Sequence, residues 1–123
     1  QMGTRFVASL ESSGHSSFKN KVVESQEGET MLVLKQLTPV RMMRNKFFNQ
    51  IAEAEGRGSS ADELKLILGR ARAKKGMFEG DMEEGELEIG QVAAAVHKII
   101  PAGEIVKEVW EEFLEAKNRI SKL

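Results

Sequence analysis

The chain of 123 residues is 41% hydrophobic and 30% charged, and its 18 basic and 19 acidic residues leave a formal net charge of -1. The basic residues are scattered among the acidic ones, so the composition does not indicate a nucleic-acid-binding protein. The absence of cysteine excludes disulfides, thiolate metal sites and a cysteine nucleophile, and no apolar run reaches the roughly 18 residues of a membrane span. We therefore expect a globular protein without nucleic-acid or membrane partners.

The first part of the chain predicts a strand, a helix and a second strand. Residues 4–10 alternate large apolar side chains with others and predict a short strand with both faces partly buried, as in a barrel. After a break at residues 13–14, a helix is expected from about residue 16 to 24. A turn at residues 26–29 then leads to a small buried strand at residues 31–34.

Polar residues at positions 38 and 60 predict the starts of two further helices. Thr38 can act as an N-cap with Pro39 at the first helical position, where its missing N–H costs nothing. Apolar residues then recur at three- and four-residue steps over residues 40–54. Residues 60–63 have the pattern of a capping box, and the helix that they open is expected to end near Lys74.

The last part of the chain predicts a loop and two helices. Residues 77–89 are acidic and interrupted by glycine, so they predict a long loop, and such loops in compact domains are often functional. Helices are expected at residues 91–100 and 102–120, with Pro101 between them. The last helix has an apolar stripe that includes Trp110.

Five short motifs stand in a fixed order along the chain. They are Gln-Met-Gly-Thr-Arg-Phe at residues 1–6, Glu-Ser-Ser-Gly-His-Ser-Ser-Phe-Lys at 11–19, Val-Arg-Met-Met-Arg-Asn-Lys at 40–46, Glu-Gly-Asp at 79–81 and Gly-Gln at 90–91. In this order and separation they resemble the nitronate monooxygenase family, formerly called 2-nitropropane dioxygenases. The relatives in that family include a flavin-type enoyl-acyl-carrier-protein reductase.

The resemblance implies that the chain is the C-terminal portion of an α/β FMN-binding (β/α)8 TIM barrel. Such a barrel takes about 250 residues, so this chain would hold about half of it. Residues 1–25 would contain the last barrel strand, the FMN-phosphate turn and the following helix. Residues 26–123 would form a C-terminal helical region with a short strand at 31–34. The chain itself is then expected to be mostly helical, with one or two short strands.

The resemblance places two parts of the flavin site on this chain. A glycine lets backbone N–H groups approach a phosphate, and a neighbouring threonine hydroxyl adds a donor. The residues expected to bind the FMN phosphate are Gln1, Met2, Gly3 and Thr4. Gly90 and Gln91 are expected near the flavin or the substrate, where an uncharged amide can donate and accept hydrogen bonds. The alternatives are a simple turn at Gly3 and a helix start capped by Gly90.

The other polar residues are expected to have structural or solvent-exposed positions and no role in catalysis. The family's catalytic histidine lies on an earlier strand, so we expect no catalytic residue in this chain and a helix-start or surface position for His15. His97 is expected to be solvated, and two histidines without cysteine indicate no metal site. The glutamate pairs at 83–84 and 111–112 are expected to be solvated charges. The six methionines favour core packing, with an acyl pocket as the alternative.

The resemblance implies an FMN-dependent oxidoreductase with a small-molecule substrate. One candidate activity is the oxidative denitrification of alkyl nitronates. The other is the reduction of an enoyl thioester in fatty-acid synthesis, which would add NAD(P)H. Both stay open, because the residues that distinguish them belong to strands outside this chain. A hypothesis of another class is a helical interaction module that docks on a partner through the exposed edge of the strand at residues 4–10 and the Trp110-Phe113 stripe of the last helix. We expect a cytoplasmic location, and a homodimer is compatible with the resemblance.

Overall fold

The computed structural model describes residues 2–122, which form mainly helices beside one two-stranded sheet. The helices and strands, in chain order, are α1 (Thr4–Val7), α2 (Ser16–Glu24), β1 (Thr30–Val33), β2 (Val40–Met43), α3 (Lys46–Gly56), α4 (Ala61–Leu68) and α5 (Ala102–Ile120). A π-helical turn at Lys74–Phe78 and a 3-10 turn at Gln91–Ala95 lie between α4 and α5. The expectation of a mostly helical chain with one or two short strands is confirmed.

The predicted strand at residues 4–10 is wrong, because this segment begins with the one-turn helix α1. The carbonyl of Gly3 accepts a hydrogen bond from the N–H of Phe6 at 3.0 Å, which closes a turn. Within the described residues this segment meets another by a single parallel bridge, between Ser9 and Ile100. A strand needs partners for its backbone groups, and here the local turn provides them instead.

Residues 40–43 form a strand, whereas the sequence predicted the first turn of a helix. β2 pairs with β1 in antiparallel register, with Thr30 opposite Met43 at one end and Val33 opposite Val40 at the other. The pairing satisfies the backbone groups of two short strands at once. Helical spacing of apolar residues cannot show this, because the partner strand lies earlier in the chain.

α3 therefore begins at Lys46, and Asn45 is its N-cap instead of the predicted threonine. The side-chain oxygen of Asn45 accepts a hydrogen bond from the Phe48 N–H at 2.8 Å. Its side-chain nitrogen donates to the carbonyls of Met82 and Gly85 at 2.9 and 2.7 Å. Asparagine is among the strongest N-cap residues. This one side chain starts the helix and also fixes the acidic loop to it.

α4 has the predicted capping box. The hydroxyl of Ser60 accepts from the Glu63 N–H at 3.3 Å, and the Glu63 carboxylate accepts from the Ser60 N–H at 2.7 Å. The helix ends at Leu68, earlier than predicted, because Gly69 and Ala71 have positive φ angles of 64° and 60°. A right-handed helix cannot continue through that conformation.

The helix predicted at residues 91–100 is a short 3-10 turn that ends at Ala95. Val96 is extended, with φ -104° and ψ 111°. The side chains of Ala93 and Val96 are buried, whereas Val92 is 58% exposed. A helix cannot continue through the extended backbone of Val96, so the turn ends there.

Two clusters of buried side chains form the core. The first joins α2, the acidic loop and the 3-10 turn through Ala8, Phe18, Val22, Met43, Leu87, Ile89, Ala93 and Val96. The second joins the sheet, α3 and α4 through Val33, Leu34, Met42, Phe47, Phe48, Ile51, Ala54 and Leu64. Met42 and Met43 therefore pack in the core, as expected, whereas Met31 is 41% exposed.

Candidate functional site

The two predicted site segments meet at a contact between Thr4 and Gly90. The Gly90 N–H donates a hydrogen bond to Thr4 Oγ1 at 3.0 Å, although the residues are 86 positions apart. Thr4 is buried, with 9% of its surface exposed. A Cβ atom on Gly90 would lie 2.5 Å from Thr4 Oγ1. A larger residue at position 90 would therefore displace the threonine hydroxyl.

The side of the turn that precedes Thr4 is open. Gly3 is exposed, and a Cβ atom placed on it would meet no heavy atom within 4 Å. Met2 is 42% exposed, and Gln1, which was also predicted to bind phosphate, lies outside the described residues. The first N–H groups of a helix lack intrahelical acceptors, and those of α1 begin at this open side. Gly3, at this open side, is the N-cap residue of α1.

A lysine and an arginine hold the segment that follows α1. The Nζ atom of buried Lys19 donates to the carbonyls of Ser9 and Leu10 at 2.7 and 3.3 Å. Nη1 of Arg5 donates to the carbonyl of Lys98 at 3.1 Å, and its Nη2 is buried without a partner among residues 2–122. The sequence interpretation did not single out Arg5, because no local signal identifies a contact 93 positions away.

Gln91 lies in the wall of an open groove that begins next to Gly90. The groove has a volume of about 800 Å³, and its other lining residues are Glu27, Gly28, Val92, Ala94, Ala95 and His97. Gln91 is exposed, so its amide can reach a ligand in the groove. The alternative, in which Gly90 caps the start of a helix, also agrees with the structure, because Gly90 is the N-cap residue of the 3-10 turn. The role of Gln91 near flavin or substrate stays a prediction.

Both histidines have the positions expected from the sequence. His15 is the N-cap of α2, where its Nδ1 accepts from the Ser17 N–H at 3.2 Å. A Cβ atom on Gly80 would lie 2.4 Å from that nitrogen, so the imidazole packs directly on the glycine. His97 is exposed. These contacts assign His15 to the start of a helix.

The acidic loop carries carboxylates whose pKa values shift in opposite directions. Glu84 pairs with Lys46 and lies 3.7 Å from Arg72. The hydrogen bond from Lys46 is the main cause that lowers the pKa of Glu84, so this carboxylate is ion-paired as well as partly exposed to solvent. Burial raises the pKa of Glu86 to about 7, and the charge of Glu88 adds to this rise. The sequence interpretation missed Glu86.

The described residues fit one end of an FMN site, the phosphate end. Gly3 leaves the backbone accessible, and Thr4 accepts from Gly90 while its own hydroxyl hydrogen remains to donate.

Over residues 2–122, no group of three or more His, Cys, Asp or Glu side chains is arranged to hold a metal ion. None of the helices in this stretch combines the length and apolar character that a membrane crossing requires.

Known proteins match this chain in family and in fold. The family model of nitronate monooxygenase matches residues 1–112. The structure of FabK from Thermotoga maritima is 32% identical, with a TM-score of 0.89, over 98% of this chain and 38% of that one. A mutant of the same FabK is 30% identical, with a TM-score of 0.81, over 98% and 36%. This chain spans less than two-fifths of those structures, and the predicted TIM-barrel fragment is confirmed.

Proposed function

Because the chain belongs to the nitronate monooxygenase family, we propose that it is the C-terminal part of an FMN-dependent nitronate monooxygenase. The proposed reaction is the oxidative denitrification of alkyl nitronates. The chain spans only 36–38% of the length of FabK, so we assign the activity to the complete barrel protein and none to this part alone. FMN, when bound, supplies the electron transfer, and the protein supplies binding and orientation.

The proposed FMN-phosphate site consists of Gln1, Met2, Gly3 and Thr4. The observation that carries the proposal is the hydrogen bond from the Gly90 N–H to Thr4 Oγ1, because it places both predicted segments at one point. Accepting this bond orients the threonine hydroxyl and leaves its hydrogen to be donated to a phosphate oxygen. The open backbone at Gly3 lets N–H groups approach the same phosphate.

Gln91 is the proposed contact to the substrate. Its exposed side chain follows Gly90 directly and lines the groove. An amide can donate a hydrogen bond to a nitronate oxygen without adding a charge. His15 is not assigned a proton-transfer role, because its Nδ1 caps α2. Proton transfer is assigned to residues outside this chain.

Substitution of Thr4 in the full-length protein tests the phosphate site. Thr4→Val keeps the shape of the side chain and removes the hydroxyl. A hydrogen bond to a charged group is worth about 1.5–3 kcal/mol, so the dissociation constant of FMN should rise roughly tenfold to a hundredfold. Thr4→Ser retains the hydroxyl and is the matched control. Equal FMN retention by Thr4→Val and wild type, measured by flavin absorbance after gel filtration, would remove Thr4 from the site.

Enoyl-thioester reduction with NAD(P)H is the second candidate function. The groove beside Gln91 has an apolar wall formed by Val92, Ala94 and Ala95, which suits an acyl chain better than a small nitronate. Oxygen uptake with an alkyl nitronate supports the first proposal, and NAD(P)H oxidation that depends on an enoyl thioester supports the second. A homodimer and a cytoplasmic location remain predictions from the resemblance.

A further inference from the structure

Lys19 carries a buried positive charge to which the proposed site assigns no role. Only 8% of its surface is exposed. Its Nζ atom donates to the carbonyl of Ser9 at 2.7 Å and to the carbonyl of Leu10 at 3.3 Å. None of the ion pairs found within residues 2–122 includes Lys19. A buried charge is costly unless other groups satisfy it, so the two carbonyls hold the ammonium group in place.

The two carbonyls follow α1, and hydrogen bonds connect Ser9 back to the start of that helix. Ser9 donates to the carbonyl of Phe6 twice, from its N–H at 3.2 Å and from its hydroxyl at 2.8 Å. The Phe6 N–H donates to the carbonyl of Gly3 at 3.0 Å. A continuous series of hydrogen bonds therefore runs from Lys19 to the turn that begins at Gly3 and contains Thr4.

α1 depends on contacts with other parts of the chain, because it is a single helical turn. It has four residues and no side-chain hydrogen bond at its N-cap. Forming one isolated helical turn is unfavourable, so tertiary contacts must stabilise it. At its start, the Gly90 N–H donates to Thr4 Oγ1 at 3.0 Å. Beyond its end, Lys19 reaches from α2 across ten positions of the chain to bind Ser9. Both contacts therefore restrain the Thr4 hydroxyl.

We propose that Lys19 is a positioning residue for the FMN phosphate. By binding the carbonyls of Ser9 and Leu10, it fixes α1 in the position in which the Thr4 hydroxyl can donate to the phosphate. The inference rests on the proposed phosphate site and adds a residue of α2 to it. Lys19 is assigned no contact with the phosphate, because its ammonium group donates to the two carbonyls. Without that donor the segment after α1 is expected to rearrange, since the buried Ser9 carbonyl would need another partner.

Binding of FMN by the full-length protein, freed of its flavin, tests the proposal. Lys19→Met removes the ammonium group and keeps an unbranched apolar side chain. We expect the dissociation constant of FMN, measured by quenching of flavin fluorescence, to rise about tenfold, as for the weakening of one hydrogen bond to a charged group. Lys21→Met removes the same charge from a half-buried residue of the same helix and is the matched control, which should bind FMN as wild type does. A folded Lys19→Met protein that binds FMN as tightly as wild type would overturn the proposal.

A double-mutant cycle with Thr4→Val separates positioning from a general loss of stability. If Lys19 acts through the Thr4 hydroxyl, Lys19→Met should weaken FMN binding much less when Thr4→Val is also present. A general destabilisation would instead raise the dissociation constant by the same factor in both backgrounds, because uncoupled effects add in free energy. Equal factors would therefore contradict the positioning role.

Thr4→Val alone distinguishes a failure of this inference from a failure of the phosphate site. If Thr4→Val leaves FMN binding unchanged, the proposed phosphate site is wrong and the role of Lys19 is wrong with it. If Thr4→Val weakens FMN binding and Lys19→Met does not, only the role of Lys19 is wrong.

Ser9→Ala tests the next hydrogen bond in the series and decides the matter if Lys19→Met does not fold. It removes the hydroxyl that donates to the Phe6 carbonyl. One neutral hydrogen bond corresponds to a factor of about five, so the dissociation constant of FMN should rise by up to that factor. Ser13→Ala, at an exposed residue of the same segment, is the matched control. A folded Ser9→Ala protein with the FMN affinity of wild type would show that the series does not position the turn, and would overturn the proposal.

Discussion

Replacing Gly90 by alanine tests the contact that joins the two site segments. The new Cβ would lie 2.5 Å from Thr4 Oγ1, so the hydroxyl must move and the hydrogen bond from the Gly90 N–H is strained or lost. Overpacking of this kind costs about 1–3 kcal/mol and a lost hydrogen bond about 1 kcal/mol. The φ of Gly90, -72°, suits alanine, so reduced freedom of the unfolded chain returns about 0.4–1 kcal/mol. We expect a net loss of roughly 1–3 kcal/mol.

Urea unfolding of the 123-residue chain, followed by circular dichroism, measures this loss. Gly56→Ala is the matched control, because Gly56 lies in α3 and its Cβ position is open, with no heavy atom within 4 Å. Alanine is the better helix former, so the control should be neutral or more stable by up to about 1 kcal/mol. Gly90→Ala should therefore destabilise the chain, whereas Gly56→Ala should not.

A double-mutant cycle with Thr4→Ala separates the steric cause from other effects. Thr4→Ala removes the atom that the new Cβ would strike, so Gly90→Ala should cost less in that background. The coupling free energy should exceed the roughly 0.5 kcal/mol within which independent sites add. If Gly90→Ala costs the same with threonine and with alanine at position 4, contact with the hydroxyl is not the cause and the reasoning fails.

Three further outcomes are expected. The 123-residue chain should leave FMN fluorescence unquenched at micromolar concentration, because it lacks the contacts to the flavin ring; quenching would contradict this. In the full-length enzyme, Gln91→Ala should reduce turnover while His15→Ala should not, once flavin content and melting temperature are matched; the reverse pattern would show that the two roles are exchanged. Burial raises the pKa of Glu86 from 4.5 to about 7, so its contribution to stability is complete below pH 4.5 and is lost as the pH rises through 7. Glu86→Gln should reduce the slope of the free energy of unfolding against pH between pH 4.5 and 7. An unchanged slope would contradict the burial of the Glu86 carboxyl.

Local signals were sufficient where a helix cap and its helix are adjacent in sequence. The capping box at residues 60–63 and the break at Pro101 both predicted helix starts that the structure confirms. The Thr38-Pro39 pair has equally good local chemistry, yet the residues after it form β2. Pairing with β1 satisfies backbone groups that a local propensity of a few tenths of a kcal/mol cannot outweigh. The pairing with β1, and not a weakness of the Thr38-Pro39 motif, therefore determines the structure of residues 40–43.

The contacts that build the candidate site could not be predicted from local patterns. Thr4 and Gly90 are 86 positions apart, and the arginine contact between Arg5 and Lys98 spans 93. The order of the motifs suggested that Thr4 and Gly90 serve one site. Only the structure shows that the Gly90 N–H donates a hydrogen bond to Thr4 Oγ1. Arg5 belongs to the first motif, but its contact could not be assigned from the sequence, because its partner is a backbone carbonyl that any residue could supply.

The start of α5 is connected to the segment that follows the proposed phosphate turn. The Leu10 N–H donates to the carbonyl of Ile100 at 3.1 Å, and the Ala102 N–H donates to the Glu11 carboxylate at 2.8 Å. A partner that packs on the exposed side chains of α5, such as Phe113, would therefore restrain the proposed phosphate turn through this connection. Loss of FMN from a variant at Phe113 would then not place that residue in the flavin site. Thr4→Val differs in this respect, because the atom it removes is the one proposed to donate to the phosphate.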